Sequence, residues 1–138
     1  MRIRKDAKVE LLQGVPLFAN CSKAEIQRLA STADELDLAE GATLIREGER
    51  GREFLVIVDG TVRVTKHGKK VRDLRAGDFI GEIALVSDVP RTATVTAVTP
   101  VRLLVVTDRA FRGLIEESPS IATKVLQSLG ERLHSDAV

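Results

Sequence analysis

From Glu35 to Val106 the chain breaks into short β-prone segments, each stopped by a turn signal, and no other feature restricts its fold as much. Leu36-Asp37-Leu38 alternates apolar and polar, Glu40-Gly41 turns, Thr43-Leu44-Ile45 follows, and Glu47-Gly48 turns again. Phe54-Leu55-Val56-Ile57-Val58 is an apolar run of buried-strand length, and Asp59-Gly60 behind it is the strongest hairpin signal in the chain. Thr61 to Thr65 alternates, His67-Gly68 turns into Lys70 to Leu74, Thr92 to Ala97 alternates, and Pro100 precedes Val101 to Val106. Roughly seven or eight short strands at this even spacing predict a sandwich or barrel, most simply a jelly roll.

Helical periodicity takes over on both sides. Val9, Leu11 and Leu12 suit a short helix over Ala7 to Gly14, ended by Gly14 and Pro16. Val15-Pro16-Leu17-Phe18 reads as an extended apolar linker packed on the core. Ser22-Lys23-Ala24-Glu25 is a capping box, with Cys21 and Ile26 placed as its hydrophobic staple, and the helix behind it runs through Ile26, Leu29, Ala30 and Ala33. Packing is the better role for Cys21 than reactivity. After the strands, Thr107 can cap a helix with Phe111, Leu114 and Ile115 on one face, and Ser118-Pro119 starts a second. That last helix repeats Ile121, Val125, Leu126, Leu129 and Leu133, with Gly130 inside it as a hinge, a tolerated residue or the helix end. The expected architecture is one mainly-β domain over 1–138: helices over about 1–34, a jelly-roll-like β-roll over 35–106, and two C-terminal helices over 107–138.

Charge and residue inventory remove several function classes. The net charge of +1 gives no long-range field for nucleic acid or an anionic membrane, so any anion site must be local. Lys66, Lys69 and Lys70 read as a solvated hairpin tip. The longest apolar runs are too short to span a bilayer, and the charged Met1-Arg2-Ile3-Arg4-Lys5-Asp6 is not expected to act as a secretory signal. Cys21, the single cysteine, has no internal disulfide partner and fits a reducing compartment, the cytoplasm by default. Jelly rolls also house metal-dependent cupin enzymes, whose sites need clustered His ligands. The chain has two histidines, His67 in a turn and His134 near a helix end, and neither stands at metal-ligand spacing. No Ser or Cys has a histidine placed to activate it. A non-enzymatic protein with no cofactor and no metal is the expectation.

One stretch carries local chemistry: Gly77-Asp78-Phe79-Ile80-Gly81-Glu82-Ile83-Ala84-Leu85, continuing to Pro90-Arg91-Thr92-Ala93 and ending at Val95. Gly81 lets backbone approach a ligand. The amides of Ile83 and Ala84, at what reads as a helix start, can donate to an anion. Arg91 supplies a planar fork for phosphate oxygens. Glu82 would repel phosphate and suits sugar hydroxyls instead. Taken singly, these are a turn glycine, a solvated carboxylate and a surface charge; it is the constellation that points to a sugar phosphate.

The run 77–95 resembles the phosphate-binding cassette of cyclic-nucleotide-binding domains, as found in cAMP receptor proteins, kinase regulatory subunits and cyclic-nucleotide-gated channels. The order helix, β-roll, paired helices is similar over nearly the whole chain. The resemblance implies that Glu82 takes the ribose hydroxyl, while Arg91 and the amides of Ile83 and Ala84 hold the cyclic phosphate. Thr92 would add a hydroxyl to the phosphate or a purine edge, and Val71 and Leu74 would touch the base. All four phenylalanines read as core, so an aliphatic lid or a partner's lid is implied. Leu126, Leu129 and Leu133 can close over the base, pair with another copy in a homodimer, or simply join the core. It further implies a regulatory sensor, with cAMP favoured over cGMP, whose C-terminal helices move on binding and signal to an unknown effector protein or domain. The chain is then either a stand-alone sensor or a piece of something longer. The remaining alternative is an interaction module of the same fold that binds no ligand. Retention of both Glu82 and Arg91 argues against it.

Overall fold

The computed structural model describes residues 3–85 and 87–136; for Glu82, Ile83 and 132–136 only the backbone is described. The alternating segments become eight strands: β1 (Asp34–Leu38), β2 (Thr43–Ile45), β3 (Glu53–Asp59), β4 (Val62–Lys66), β5 (Lys69–Leu74), β6 (Phe79–Ile80), β7 (Thr94–Ala97) and β8 (Val101–Thr107). They form two four-stranded antiparallel sheets, ordered β1-β8-β3-β6 and β2-β7-β4-β5. That is jelly-roll order, with consecutive strands mostly dealt to opposite sheets. Ile45, Leu55, Ile57, Val62, Val95 and Leu103, drawn from both sheets, meet in one buried cluster. In β3 the next residues along, Phe54 and Val56, are buried as well, so the strand is hidden on both faces and reads as a continuous apolar run.

Two turns fix the topology. At His67-Gly68 both central residues have positive φ (52° and 78°), and β4 and β5 pair directly across it, Lys66 opposite Lys69. This is the mirror-image turn that hairpins favour. Asp59-Gly60 departs from expectation. The strands on either side of it, β3 and β4, lie in different sheets, so the turn carries the chain between layers and is not a hairpin. Gly60 has φ 97°, and a Cβ there would lie 2.7 Å from Val101 Cγ1 and closer still to the Pro100 carbonyl oxygen. The glycine therefore lets two crossing segments touch. The Thr61 amide donates to Thr99 Oγ1 (3.0 Å) and the Val98 amide to the Thr61 carbonyl (2.9 Å), sealing the corner.

The chain divides into two compact units, Ala33–Asp108 and the paired ends Met1–Thr32 with Arg109–Val138. The second holds α1 (Lys5–Gln13), α2 (Lys23–Thr32), α3 (Asp108–Glu117, save its first residue) and α4 (Pro119–Asp136). The capping box forms: the Glu25 amide donates to Ser22 Oγ (3.2 Å) and the Ser22 amide to Glu25 Oε1 (2.7 Å). Cys21 is half-buried beside it, and burial, then the charge of Glu25, pushes its thiol pKa up. Val15–Phe18 is not extended. Pro16–Phe18 is a 3₁₀ turn, because Pro16 has the right φ for a first helical position and the Phe18 and Ala19 amides donate back to Val15 and Pro16 carbonyls (3.0 and 3.1 Å). Leu17 and Phe18 are buried as expected, Phe18 lying 6.3 Å from Phe111 ring to ring.

Polar groups tie α4 and Ser118 before it to α2 and Asn20 before that. Glu25 is buried and accepts hydrogen bonds from Lys124 Nζ (2.6 Å) and Ser120 Oγ. Arg28 donates to Ser118 Oγ (2.9 Å), and Asn20 to Ser128 Oγ (2.9 Å). Gly130 does not end α4, which continues to Asp136. Among the described residues no helix is long and apolar enough to cross a membrane.

Candidate functional site

The stretch 77–95 enters on a tight turn, and the fold brings Gly81 within it against the side chain of Arg91. Gly77, at φ 93°, turns the chain, with the Arg75 amide capped by Asp78 Oδ2 (2.8 Å). β6 then pairs with β3, Ile80 opposite Leu55 and Phe79 opposite Val56, and the Phe79 ring stands 6.0 Å from that of Phe54. Gly81 follows at φ 80°, a conformation that costs an L side chain energy.

From Glu82 to Leu85 the chain makes one 3₁₀ turn. This corrects one expectation. The Ala84 amide is not an unengaged donor at a helix start; it donates to the Gly81 carbonyl (3.0 Å), because a 3₁₀ turn closes its hydrogen bonds over three residues. Ala84 and Leu85 are buried, so the turn is seated by its apolar side. The side chains of Glu82 and Ile83 lie outside the described residues, and the role of Glu82 rests on the resemblance alone.

Arg91 is the centre of the site. Its backbone is clasped by the turn after β2: the Arg91 amide donates to the Glu49 carbonyl and the Gly48 amide to the Arg91 carbonyl, both at 2.8 Å. One step away, Pro90 bridges Arg50, whose guanidinium pairs with Asp88. The Arg91 side chain is 11% exposed. Its Nη2 donates to the Glu53 carbonyl (2.6 Å) and stands 3.7 Å from Glu53 Oε2. The guanidinium also lies against Gly81, where a Cβ would overlap Nη1. Burial pushes its pKa down and the Glu53 carboxylate pushes it back up. A largely desolvated cation with one carboxylate near it has the chemistry to receive a further anion.

The other expected site residues are distributed unevenly. Thr92 is exposed next to Arg91. Val71 and Leu74 separate: Val71 is 56% exposed on β5, whereas Leu74 is 9% exposed and belongs to the cluster between the sheets. β5 bulges at Val71: the pairing with β4 passes from Val64 opposite Arg72 to Thr65 opposite Lys70 and skips it, whereas Leu74 stays in register opposite Val62. Leu126 is 68% exposed on α4 and Leu129 half-buried, while Ile121 and Val125 are buried; Leu133 lies outside the described side chains. Unexpected by contrast are Gly51 and Glu53, the immediate neighbours of the Arg91 side chain. A cleft of about 130 Å³ lined by Arg46, Glu49, Arg50, Gly51, Glu53 and Arg91 opens beside them, too small for a nucleotide. Among the described residues no group of His, Cys, Asp and Glu could hold a metal ion.

Comparison with known proteins decides the family. Residues 35–118 match the cyclic nucleotide-binding domain. The chain belongs to that family. This cyclic nucleotide-binding domain is 37% identical over 115 residues to a cAMP-dependent protein kinase regulatory subunit of Mycosarcoma maydis, covering 77% of the chain and 22% of that protein. It is 37% identical over 123 residues to a cyclic nucleotide-gated potassium channel of Rhizobium etli, covering 89% of the chain and 34% of the channel. The domain thus spans about a third or less of the length of these relatives. Its fold superimposes at a TM-score of 0.86, with 30% identity, on the N-terminal domain of a transcriptional regulator from Streptomyces coelicolor A3(2), covering 91% of this chain and 94% of that one.

Proposed function

We propose that the chain binds a cyclic nucleotide, cAMP in preference to cGMP, as a non-enzymatic regulatory module. The observation that carries this reading is the Arg91 guanidinium, 11% exposed and lying against Gly81, so that two distant parts of the cassette meet. In the proposal Arg91 anchors the cyclic phosphate beside the Gly81–Ala84 backbone, with Ile83 offering its amide. Glu82 takes the ribose hydroxyl and Thr92 reaches the phosphate or the base edge. Val71 is exposed and free to meet the base, whereas Leu74 would support that strand from the core.

The signalling half of the reading rests on α4. Its exposed Leu126 faces away from the buried Ile121 and Val125, leaving an apolar strip able to cover a base or a second copy of the chain. Binding that favours one placement of α4 shifts its population by no more than the difference in affinity between placements. An effector protein or an attached domain in the cytoplasm would read that shift.

A melting curve without ligand, with cAMP and with cGMP tests the ligand. A ligand at a hundred times its dissociation constant stabilises the folded state by about 2.7 kcal/mol, a shift of several degrees. Arg91→Ala should abolish the shift while the protein still melts cooperatively. Equal shifts in wild type and variant would refute the phosphate assignment, and no shift with either nucleotide would favour the ligand-free interaction module.

A further inference from the structure

Gly51 is a glycine with no conformational reason to be one. Six other glycines, Gly60 and Gly81 among them, have positive φ; Gly51 does not, so its backbone suits any residue. What it cannot accept is a side chain. A Cβ at Gly51 would come closer than 3.0 Å to three atoms of one neighbour, Nε, Cζ and Cδ of Arg91, and these are its three nearest heavy atoms outside the adjoining residues. The obstruction is thus one long side chain.

We propose that Gly51 is a positioning residue for the phosphate anchor: its missing side chain is the slot in which the Arg91 guanidinium lies. The slot has two walls, Gly51 on the loop before β3 and Gly81 at the head of the cassette, both within overlap distance of the guanidinium for any added Cβ. Its floor is the Glu53 carbonyl, which accepts from Arg91 Nη2 at 2.6 Å and fixes the plane of the fork. The Arg91 backbone is held independently by Gly48 and Glu49, so blocking the slot displaces the guanidinium and leaves the main chain in place. Alanine at 51 therefore makes the arginine swing out, since a guanidinium stem gives way more easily than a strand. The proposal rests on the reading of Arg91 as the anchor for a nucleotide phosphate and adds the element that aims it.

The test is a double-mutant cycle on the full chain: wild type, Gly51→Ala, Arg91→Ala and the pair, each titrated with cAMP and each melted without ligand. Losing one aimed hydrogen bond to a charged group is worth about tenfold or more in affinity, so Gly51→Ala should weaken cAMP binding by at least that factor. It should also lower the melting temperature in the wild-type background and leave it unchanged or slightly higher in the Arg91→Ala background, where the slot is empty and alanine restricts the unfolded chain. The ¹⁵Nε resonance of Arg91 should move in Gly51→Ala. Unchanged cAMP affinity in Gly51→Ala overturns the proposal, as does the same loss of melting temperature in both backgrounds, which would make the glycine a backbone requirement. If wild type binds no cyclic nucleotide, the ligand reading falls, and the melting cycle with the Nε shift still decides whether Gly51 holds Arg91.

Discussion

Acid should weaken the helical unit through Glu25, and the size of the effect follows from its surroundings. The residue is 5% exposed, and its carboxylate receives Lys124 Nζ, Ser120 Oγ and the Ser22 amide. The Lys124 hydrogen bond, followed by those from Ser120 and Ser22, holds its pKa down at about 2 against an ordinary value of 4.5. A folded pKa below the unfolded one means that the unfolded chain takes up the proton first as pH falls. The stabilisation is complete above about 4.5 and disappears as pH drops through about 2. The full contribution is on the order of 3 kcal/mol, of which roughly 2 kcal/mol is lost by about pH 3. Glu25→Gln has the same shape and no titration, so it is the reference. Urea denaturation of both proteins, followed by circular dichroism between about pH 3 and pH 6, gives the difference in stability. Asp6, Asp37 and Asp73, whose pKa values are also lowered by their arginine partners, are common to both proteins and cancel. The wild-type advantage over Glu25→Gln should shrink by about 2 kcal/mol across that range. Parallel curves would mean that Glu25 is not ion-paired in solution and that the reasoning is wrong.

Two contrasts check the sandwich. Gly60→Ala meets both a positive φ and the Pro100–Val101 backbone, whereas Gly68→Ala meets a positive φ in open space, so Gly60→Ala should cost clearly more than the roughly 1 kcal/mol of Gly68→Ala in urea denaturation. Leu74→Ala should destabilise by about 2–5 kcal/mol, as a buried leucine does, while Val71→Ala on the same strand stays within about 0.5 kcal/mol; equal effects would place both side chains wrongly.

Much of this was legible from local pattern, because local pattern is what decides it. The capping box at Ser22–Glu25, the proline start of α4 and the strand alternation of β4 and β7 each depend on residues within one turn or one strand. The features that differ from local expectation depend on partners far along the chain. Asp59-Gly60 carries the same signal whether it closes a hairpin or switches sheets, and the choice is made by Pro100 and Val101 arriving beside it. Arg91 stands out by its type and spacing, but its partner Glu53 is 38 positions earlier, in a charged run with nothing to mark it except a glycine. Val71 and Leu74 part because β5 bulges at Val71, and nothing in Lys70-Val71-Arg72 marks the bulge, which the pairing with β4 sets. The engaged Ala84 amide has no local mark either, since the same four residues begin an α-helix or complete a 3₁₀ turn equally well.

The pairing of β1 with β8 has a consequence for how the chain is made. β1 has no other strand beside it, and Asp34 meets Val105 only after some seventy further residues have been synthesised. At about 5–20 residues per second, the first strand waits several seconds with its hydrogen-bonding edge open. An unpaired apolar strand in that position invites association with other nascent chains. The sequence Asp34-Glu35-Leu36-Asp37-Leu38 meets the delay with three carboxylates among five residues, one of which, Asp37, later pairs with Arg102 (2.8 Å) on the strand it was waiting for. Those acids would guard the unfinished protein first and fasten the finished one afterwards.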